Sequence, residues 1–244
     1  MTVFQHFPAP LASLLDVGCN VGALLQEIEQ RYPGVHLAGV EVNLPAFEKA
    51  RLALPRADLR HRGAEALPFS DNSFDCVTCV EVLEHLPTEL RPLALQEMQR
   101  VLKPGGRLIL TVPHAGWFAW FDSNNVRYRL PVVYRLFLGS GRRDANYAAK
   151  GRSVEWHYHF TVKELEMLTS NAWKRIALRR GGLFLYPLMD WLCWPFYRLG
   201  LVNNPIRLFF QWIAGLDYRI DFGPASYGVL LALEKVDPSS PNTD

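Results

Sequence analysis

Apolar runs and amphipathic segments alternate along the first half of the chain. Strands are predicted near residues 12–17, 36–41, 58–61, 74–79 and 107–112. Polar and apolar positions recur at helical spacing near residues 23–31, 44–54 and 89–102. This alternation of strand and helix predicts an α/β protein with a doubly wound parallel sheet that helices cover on both faces.

The pattern resumes after a long interval. Thr161 followed by Glu164 forms a capping-box motif and predicts a helix over residues 161–170. Two more strands are predicted at 174–179 and 227–234. We therefore interpret residues 1–244 as a single domain with two inserts, 113–160 and 183–223, and residues 238–244 as a disordered tail.

The most informative segment is the sharp turn after the first strand. Asp16 ends this strand, and Gly18, Cys19, Asn20 and Gly22 lead directly into a helix. Glycines let the backbone approach a ligand, and this geometry suits an adenosine-containing molecule. Asn20 stands where a dinucleotide-binding loop has its middle glycine, which argues against a nicotinamide oxidoreductase. A cofactor without phosphates that carries an ammonium and a carboxylate fits better, and S-adenosylmethionine is such a cofactor.

Five motifs, in this order, resemble those of the class I S-adenosylmethionine-dependent methyltransferases of type 11. They cover residues 14–113 and comprise Leu14–Gly22, Val40–Val42, Ala64–Phe69 with Asp71–Val77, Glu81–Leu86 and Arg100–Leu108. The resemblance implies an enzyme with S-adenosylmethionine as its cofactor. It also implies a seven-stranded, mostly parallel, Rossmann-like sheet whose last strand is antiparallel and lies between the fifth and sixth.

By the same resemblance, Glu41 accepts both hydroxyls of a ribose and the N–H of Ala64 meets an adenine ring nitrogen. Gly63 stands where related enzymes usually have an aspartate that accepts from the adenine amino group. Either Glu65 or a backbone carbonyl supplies that acceptor, or the cofactor is held less tightly. The predicted cofactor contacts are Asp16, Gly18, Cys19, Asn20, Gly22, Glu41, Val42, Ala64, Glu65 and Glu81.

Methyl transfer is an in-line displacement at a sulfonium, so the protein mainly positions the acceptor and excludes water. A base is needed only where the acceptor must lose a proton. His85, at the mouth of the fourth strand, is the first candidate, and Glu81 and His114 are the others. A structural hydrogen bond is the competing interpretation for each histidine. His157 and His159 would share a strand face, but no carboxylate or cysteine at ligand spacing accompanies them, so no metal is predicted.

The two inserts indicate an amphiphilic acceptor. The first begins with aromatic residues and becomes basic, at Arg127, Arg129, Arg135, Arg142, Arg143, Lys150 and Arg152. Such a patch fits an anionic substrate or surface, or is simply a solvated loop. The second has an aromatic run over residues 183–199, but Asp190, Arg198 and two prolines interrupt this run, so it fits an interfacial helix, a pocket wall or a homodimer contact rather than a membrane span. We expect methylation of an O or C atom of a lipid-linked, isoprenoid or glycan-like molecule, with peripheral membrane contact.

The composition of the chain restricts its possible binding partners and its cellular location. A net charge of only +2 and the absence of a motif for a flipped base argue against nucleic acid. Residues 1–10 lack a signal-peptide pattern, and four scattered cysteines fit a reducing cytosol, so we predict a cytoplasmic protein. The first strand begins about a dozen residues into the chain, too early for preceding helices to cover the cofactor. The lid over the cofactor is therefore expected to come from the inserts, unless the gene start is truncated. The competing functions are a catalytically silent cofactor-binding module and a methyltransferase of a soluble metabolite.

Overall fold

A computed structural model describes residues 3–122, 132, 157–169, 173–201 and 203–236. Seven strands form one sheet: β1 Ser13–Val17, β2 His36–Val40, β3 Asp58–Arg60, β4 Phe74–Val80, β5 Leu102–Pro113, β6 Trp173–Gly181 and β7 Gly228–Lys235. The helices are α1 Ala23–Arg31, α2 Leu44–Ala53, α3 Arg91–Val101, α4 Val162–Leu168, α5 Leu185–Arg198 and α6 Pro205–Asp217. The basic residues of the first insert and the predicted tail lie outside the described residues.

The strands lie in the order β3-β2-β1-β4-β5-β7-β6. β1 to β5 all run parallel to one another, whereas β7 pairs antiparallel with both β5 and β6. The predicted mostly parallel sheet and the position of its last strand are thereby confirmed. Because helical crossovers return the chain to the same edge, β1, β2 and β4 end side by side at one rim of the sheet.

Most predicted elements are present, and the differences lie at their ends. β5 begins at Leu102 because this residue already pairs with Phe74, and the register then shifts before Arg107 pairs with Cys76. α3 begins at Arg91, since the preceding residues Thr88–Leu90 form a 3-10 turn. The capping box at the start of α4 is formed as predicted.

The side chains of β4 alternate between two apolar layers. Cys76 packs with Leu14 and Ile109 on one face of the sheet, and Val77 and Cys79 pack in the other layer. All four cysteines are buried and free, which agrees with their interpretation as small core residues. Since both faces are filled by core packing, ligand-binding groups are confined to the ends of the strands.

The second insert folds back on itself as the α5–α6 hairpin. The Asp217 carboxylate at the end of α6 accepts N–H hydrogen bonds from Leu183 and Tyr186 at 2.8 and 3.0 Å. These bonds tie the start of α5 to the end of α6, so the hairpin is anchored at its base. Within the part of the chain that the structure describes, no helix has the length and hydropathy to cross a bilayer.

Candidate functional site

A crevice of about 320 Å³ opens at the rim where β1, β2 and β4 end. Its volume lies within the range of small-ligand sites in proteins. Most of its lining comes from the loops that follow these strands and from the segment after β3. The lining residues are Gly18, Asn20, Val40, Glu41, Val42, Asn43, Ala46, Arg62, Gly63, Ala64, Glu81, Val82 and His85.

The loop after β1 is held tightly against β2. The N–H groups of Gly18 and Cys19 both donate to the Val40 carbonyl, at 2.8 and 3.0 Å. Gly18 has a φ of 76°, and a Cβ at this position would overlap the side chain of Val82. Glycine is therefore required here by the packing of the protein itself as well as by the turn.

Glu41 provides a fixed carboxylate at the centre of the crevice. Its two oxygens accept N–H hydrogen bonds from Asn20 at 2.9 Å and from Asn43 at 2.7 Å. Each carboxylate oxygen has a further lone pair that can accept from a ligand hydroxyl. The side chain is thus oriented by the protein, and no ligand is needed to hold it in place.

The far end of the crevice is formed by the loop after β3. Gly63 and Ala64 line it, and the carboxylate of Glu65 occupies the space that a side chain at Gly63 would fill. Glu97 and Arg100 of α3 hold this loop, because Glu97 accepts the N–H of Leu67 at 2.8 Å and Arg100 donates to nearby carbonyls. Glu65 therefore places an acceptor next to the position where the resemblance implies an aspartate.

Four predicted cofactor contacts, Asp16, Cys19, Gly22 and Glu65, are not among the residues that line the crevice. Asp16 is buried and accepts a hydrogen bond from the Thr78 hydroxyl at 2.7 Å. Burial raises the pKa of Asp16 to about 7, although the bond from Thr78 acts in the opposite direction. Cys19 is buried, and a side chain at Gly22 would overlap Leu54. Asp16, Cys19 and Gly22 are therefore packed inside the protein rather than forming part of the crevice surface.

The predicted catalytic residues occupy two different environments. Glu81 and His85 both line the crevice, whereas His114 is buried, with its ring Nδ1 donating to the Ser226 carbonyl at 2.9 Å. This bond matches the structural interpretation of His114, and burial lowers its pKa. Glu81 has a φ of 54° and accepts from the Thr111 hydroxyl at 2.9 Å. Desolvation by the surrounding protein, and then the charge of Glu84, raise the pKa of Glu81.

A polar cluster continues inward from His85. The rings of His85 and His157 have centroids 4.9 Å apart, and the Nδ1 of His157 lies 2.6 Å from Oδ2 of Asp122. His159 Nε2 lies 3.4 Å from the same Asp122 oxygen. Burial alone would lower the pKa of His157, but the carboxylates of Asp122 and Glu84 outweigh it and raise the pKa to about 10.

Sequence reasoning missed Asp122 and Glu84 as members of this cluster. Asp122 is 35 positions from His157, and no local pattern joins them. Glu84 directly precedes His85, and both lie in a 3-10 turn, Leu83–His85, that follows β4. The adjacent carboxylate was therefore the one available signal for the cluster.

The chain matches known methyltransferases over part of its length. Residues 15–110 match the family model described as a methyltransferase domain. The demethylmenaquinone methyltransferase of Listeria welshimeri is 34% identical over 140 residues, which cover 52% of this chain and 57% of that protein. The ubiquinone biosynthesis O-methyltransferase of Stutzerimonas stutzeri is 29% identical over 163 residues, covering 60% and 68%.

The overall fold is similar to that of a solved S-adenosylmethionine-dependent methyltransferase from Methanosarcina mazei. That structure is 20% identical to this chain, with a TM-score of 0.59 over 97% of this chain and 98% of the other. The family match over residues 15–110 and the shared fold both agree with a methyltransferase domain in this part of the chain. The resemblance seen in the sequence is thereby confirmed, while the chain spans only 57% of the length of the Listeria protein.

Proposed function

We propose that this protein transfers a methyl group from S-adenosylmethionine to an O or C atom of a small amphiphilic acceptor, of the lipid-linked, isoprenoid or glycan-like kind. The observation that carries the proposal is the continuity between the crevice and the polar cluster. His85 lines the crevice, and its ring lies 4.9 Å from that of His157. A ligand in the crevice would therefore lie next to groups that can bind and activate an acceptor.

The residues present fit the cofactor. Glu41 is held by two backbone N–H groups and would accept from the ribose hydroxyls. The N–H of Ala64 would meet an adenine ring nitrogen, and Glu65 would accept from the adenine amino group. Glu81, on the crevice surface, would face the methionine part or the acceptor. Asp16, Cys19 and Gly22 would act indirectly, by holding the loop after β1.

When bound, S-adenosylmethionine supplies an electrophilic methyl group on a sulfonium. The protein then has to orient the acceptor, exclude water and assist the loss of a proton where the acceptor is a hydroxyl. His85 is placed for this last task, because it faces the crevice with 44% of its side chain exposed. His114 is not, since its Nδ1 is bonded to a buried carbonyl.

Measuring turnover with labelled cofactor and a lipid extract tests the proposal. We expect His85→Ala to lower turnover of a hydroxyl acceptor by about a hundredfold or more while cofactor affinity is unchanged. His36→Ala is the matched control, because His36 is exposed at the opposite end of the sheet, where β2 begins. Absence of labelled product in both lipid and aqueous fractions would favour a catalytically silent cofactor-binding module.

An aromatic wall beside the polar cluster supports an acceptor with an apolar part. Phe121 precedes Asp122 and contacts both Phe184 and Trp191, with ring centroids 5.9 and 5.8 Å apart. The Trp191 indole N–H donates to the Phe121 carbonyl at 2.9 Å, which attaches α5 to this wall. The names of the two relatives, which refer to menaquinone and ubiquinone, agree with an acceptor of this kind.

The outer surface of α6 supports contact with a lipid surface. Ile206, Phe209 and Trp212 are spaced along this helix and have 55, 54 and 59% of their surfaces exposed. Large aromatic side chains exposed in this way are typical of helices that lie in a membrane interface. Trp191, on α5 of the same insert, differs from these residues because its indole N–H donates to the Phe121 carbonyl.

Liposome co-sedimentation at varied salt and anionic lipid content tests the lipid contact. We expect binding to rise with anionic lipid, because basic residues of the first insert would meet the head groups. Replacing Phe209 and Trp212 together by serine should abolish binding, whereas Leu52→Ser should not, since Leu52 is exposed on α2. Sedimentation that ignores both lipid charge and the two aromatic residues would favour a soluble acceptor.

A further inference from the structure

Three potential metal ligands converge where the crevice meets the polar cluster. Oε1 of Glu84 lies 3.7 Å from Nε2 of His85 and 3.6 Å from Nε2 of His157. The three ligand atoms all lie within 4.8 Å of one another. The first two side chains come from the turn after β4, whereas His157 comes from the segment that leads to α4. Two separate parts of the chain thus direct donor atoms to one point.

Glu84 is an unusual member of this group. Its side chain is fully buried, and neither carboxylate oxygen has a hydrogen-bond partner among the residues that the structure describes. A buried carboxylate without hydrogen bonds is unfavourable, because it loses its hydration without a replacement. The Nε2 atoms of His85 and His157 lie near its Oε1 atom, and both are just beyond hydrogen-bond distance.

We propose that Glu84, His85 and His157 bind one divalent transition-metal ion. Two imidazoles and one carboxylate are the ligand set of many zinc and iron(II) sites. With bonds of about 2.0–2.1 Å, ligand atoms around a tetrahedral ion lie roughly 3.3–3.4 Å apart. The separations of 3.6 and 3.7 Å need to shrink by only a few tenths of an ångström to meet this requirement.

The neighbourhood of His157 fits a metal ligand. Metal-binding histidines generally donate their second ring N–H to a carboxylate, which fixes the ring and its tautomer. The Nδ1 of His157 lies 2.6 Å from Oδ2 of Asp122, while Nε2 is the atom directed to Glu84. Asp122 is itself buried, so this orientation is maintained by the protein interior.

The ion deepens the proposed function and rests on it. His85 lines the crevice, so a coordination position left open by the three ligands would face the acceptor. The ion would lower the pKa of an acceptor hydroxyl, so that its proton could pass to solvent; the oxygen would then form a bond to the methyl carbon while the bond from that carbon to the sulfonium breaks and S-adenosylhomocysteine leaves. His85 would then activate the acceptor through the ion rather than by taking the proton itself.

Titrating the metal-free full chain with Co²⁺ tests the site directly. We expect one equivalent to bind, with visible absorption bands typical of a four- or five-coordinate ion. His85→Ala should weaken binding at least a hundredfold, and Asp122→Asn should weaken it about 10- to 100-fold. His36→Ala should bind like the wild type. His85 is the preferred variant, because its partly exposed side chain can be removed without opening the core.

Two results would overturn the proposal. One is the absence of stoichiometric Co²⁺ binding, and the other is equal Co²⁺ affinity in the wild type and in His85→Ala. Calorimetry with S-adenosylmethionine in the presence of a chelator separates this proposal from the proposed function. Failure of cofactor binding there would contradict the proposed function, whereas the Co²⁺ titration decides on the metal site by itself.

Discussion

Replacing Glu41 by alanine should lower both the stability of the folded protein and its affinity for the cofactor. The two N–H groups of Asn20 and Asn43 would lose their charged acceptor at 2.9 and 2.7 Å. Leaving such groups unpaired in a largely buried site costs about 1–3 kcal/mol, so the free energy of unfolding without cofactor should fall by about that amount. The ribose hydroxyls would lose their acceptor as well, which should weaken binding by a further 1–3 kcal/mol or so, roughly 5- to 150-fold.

Urea denaturation without cofactor and calorimetry with S-adenosylmethionine measure these two effects separately. Glu48→Ala is the matched control, because Glu48 lies on α2 and forms an ion pair with the exposed Arg51. Exposed pairs of this kind contribute about 0–1 kcal/mol, so both measurements should stay close to wild type. Equal cofactor affinity in the wild type and in Glu41→Ala would refute the role assigned to this carboxylate.

Three further predictions follow from the crevice. The folded-state pKa of Asp16, about 7, lies above its ordinary value of 3.8, so stability without cofactor should fall as pH rises from about 4 to 7. Asp16→Asn should then be more stable than wild type at pH 8, by on the order of 1–4 kcal/mol. In urea denaturation, the midpoints of the variant and the wild type should therefore differ more at pH 8 than at pH 4. The same difference at both pH values would contradict this prediction. Gly18→Ala should destabilise the fold more than Gly34→Ala. Both glycines have a positive φ, but only a Cβ at Gly18 would overlap the Val82 side chain. Similar decreases in melting temperature for the two variants would disprove this overlap. Glu65→Ala should weaken cofactor binding about tenfold. Adding Gly63→Asp should restore the affinity, because the new side chain would occupy the space that the Glu65 carboxylate fills. If calorimetry shows that the affinity of the double variant does not recover, another group accepts from the adenine amino group.

The order of strands and helices could be derived from the sequence because each element depends mainly on local patterns. The apolar strand that ends at Asp16 and the capping box at Thr161 are readable from neighbouring residues alone. The crevice could be located for the same reason, since the carboxyl ends of parallel strands meet at one rim. Gly18, Asn20, Glu41 and Ala64, which the sequence suggested as cofactor contacts, are among its lining residues.

The polar cluster depended on the tertiary structure. Asp122 and His157 are far apart in the chain, and only the packing of the segment before α4 against the turn after β4 brings them to Glu84 and His85. The sequence suggested no carboxylate for His157, because spacing along a chain contains no information on contacts between distant segments. Tertiary packing also distinguished two tryptophans, because Trp191 donates a hydrogen bond to the Phe121 carbonyl whereas Trp212 is exposed on the surface. Local pattern determined the strands, the helices and the rim at which the crevice opens, whereas long-range packing decided which side chains meet beside it.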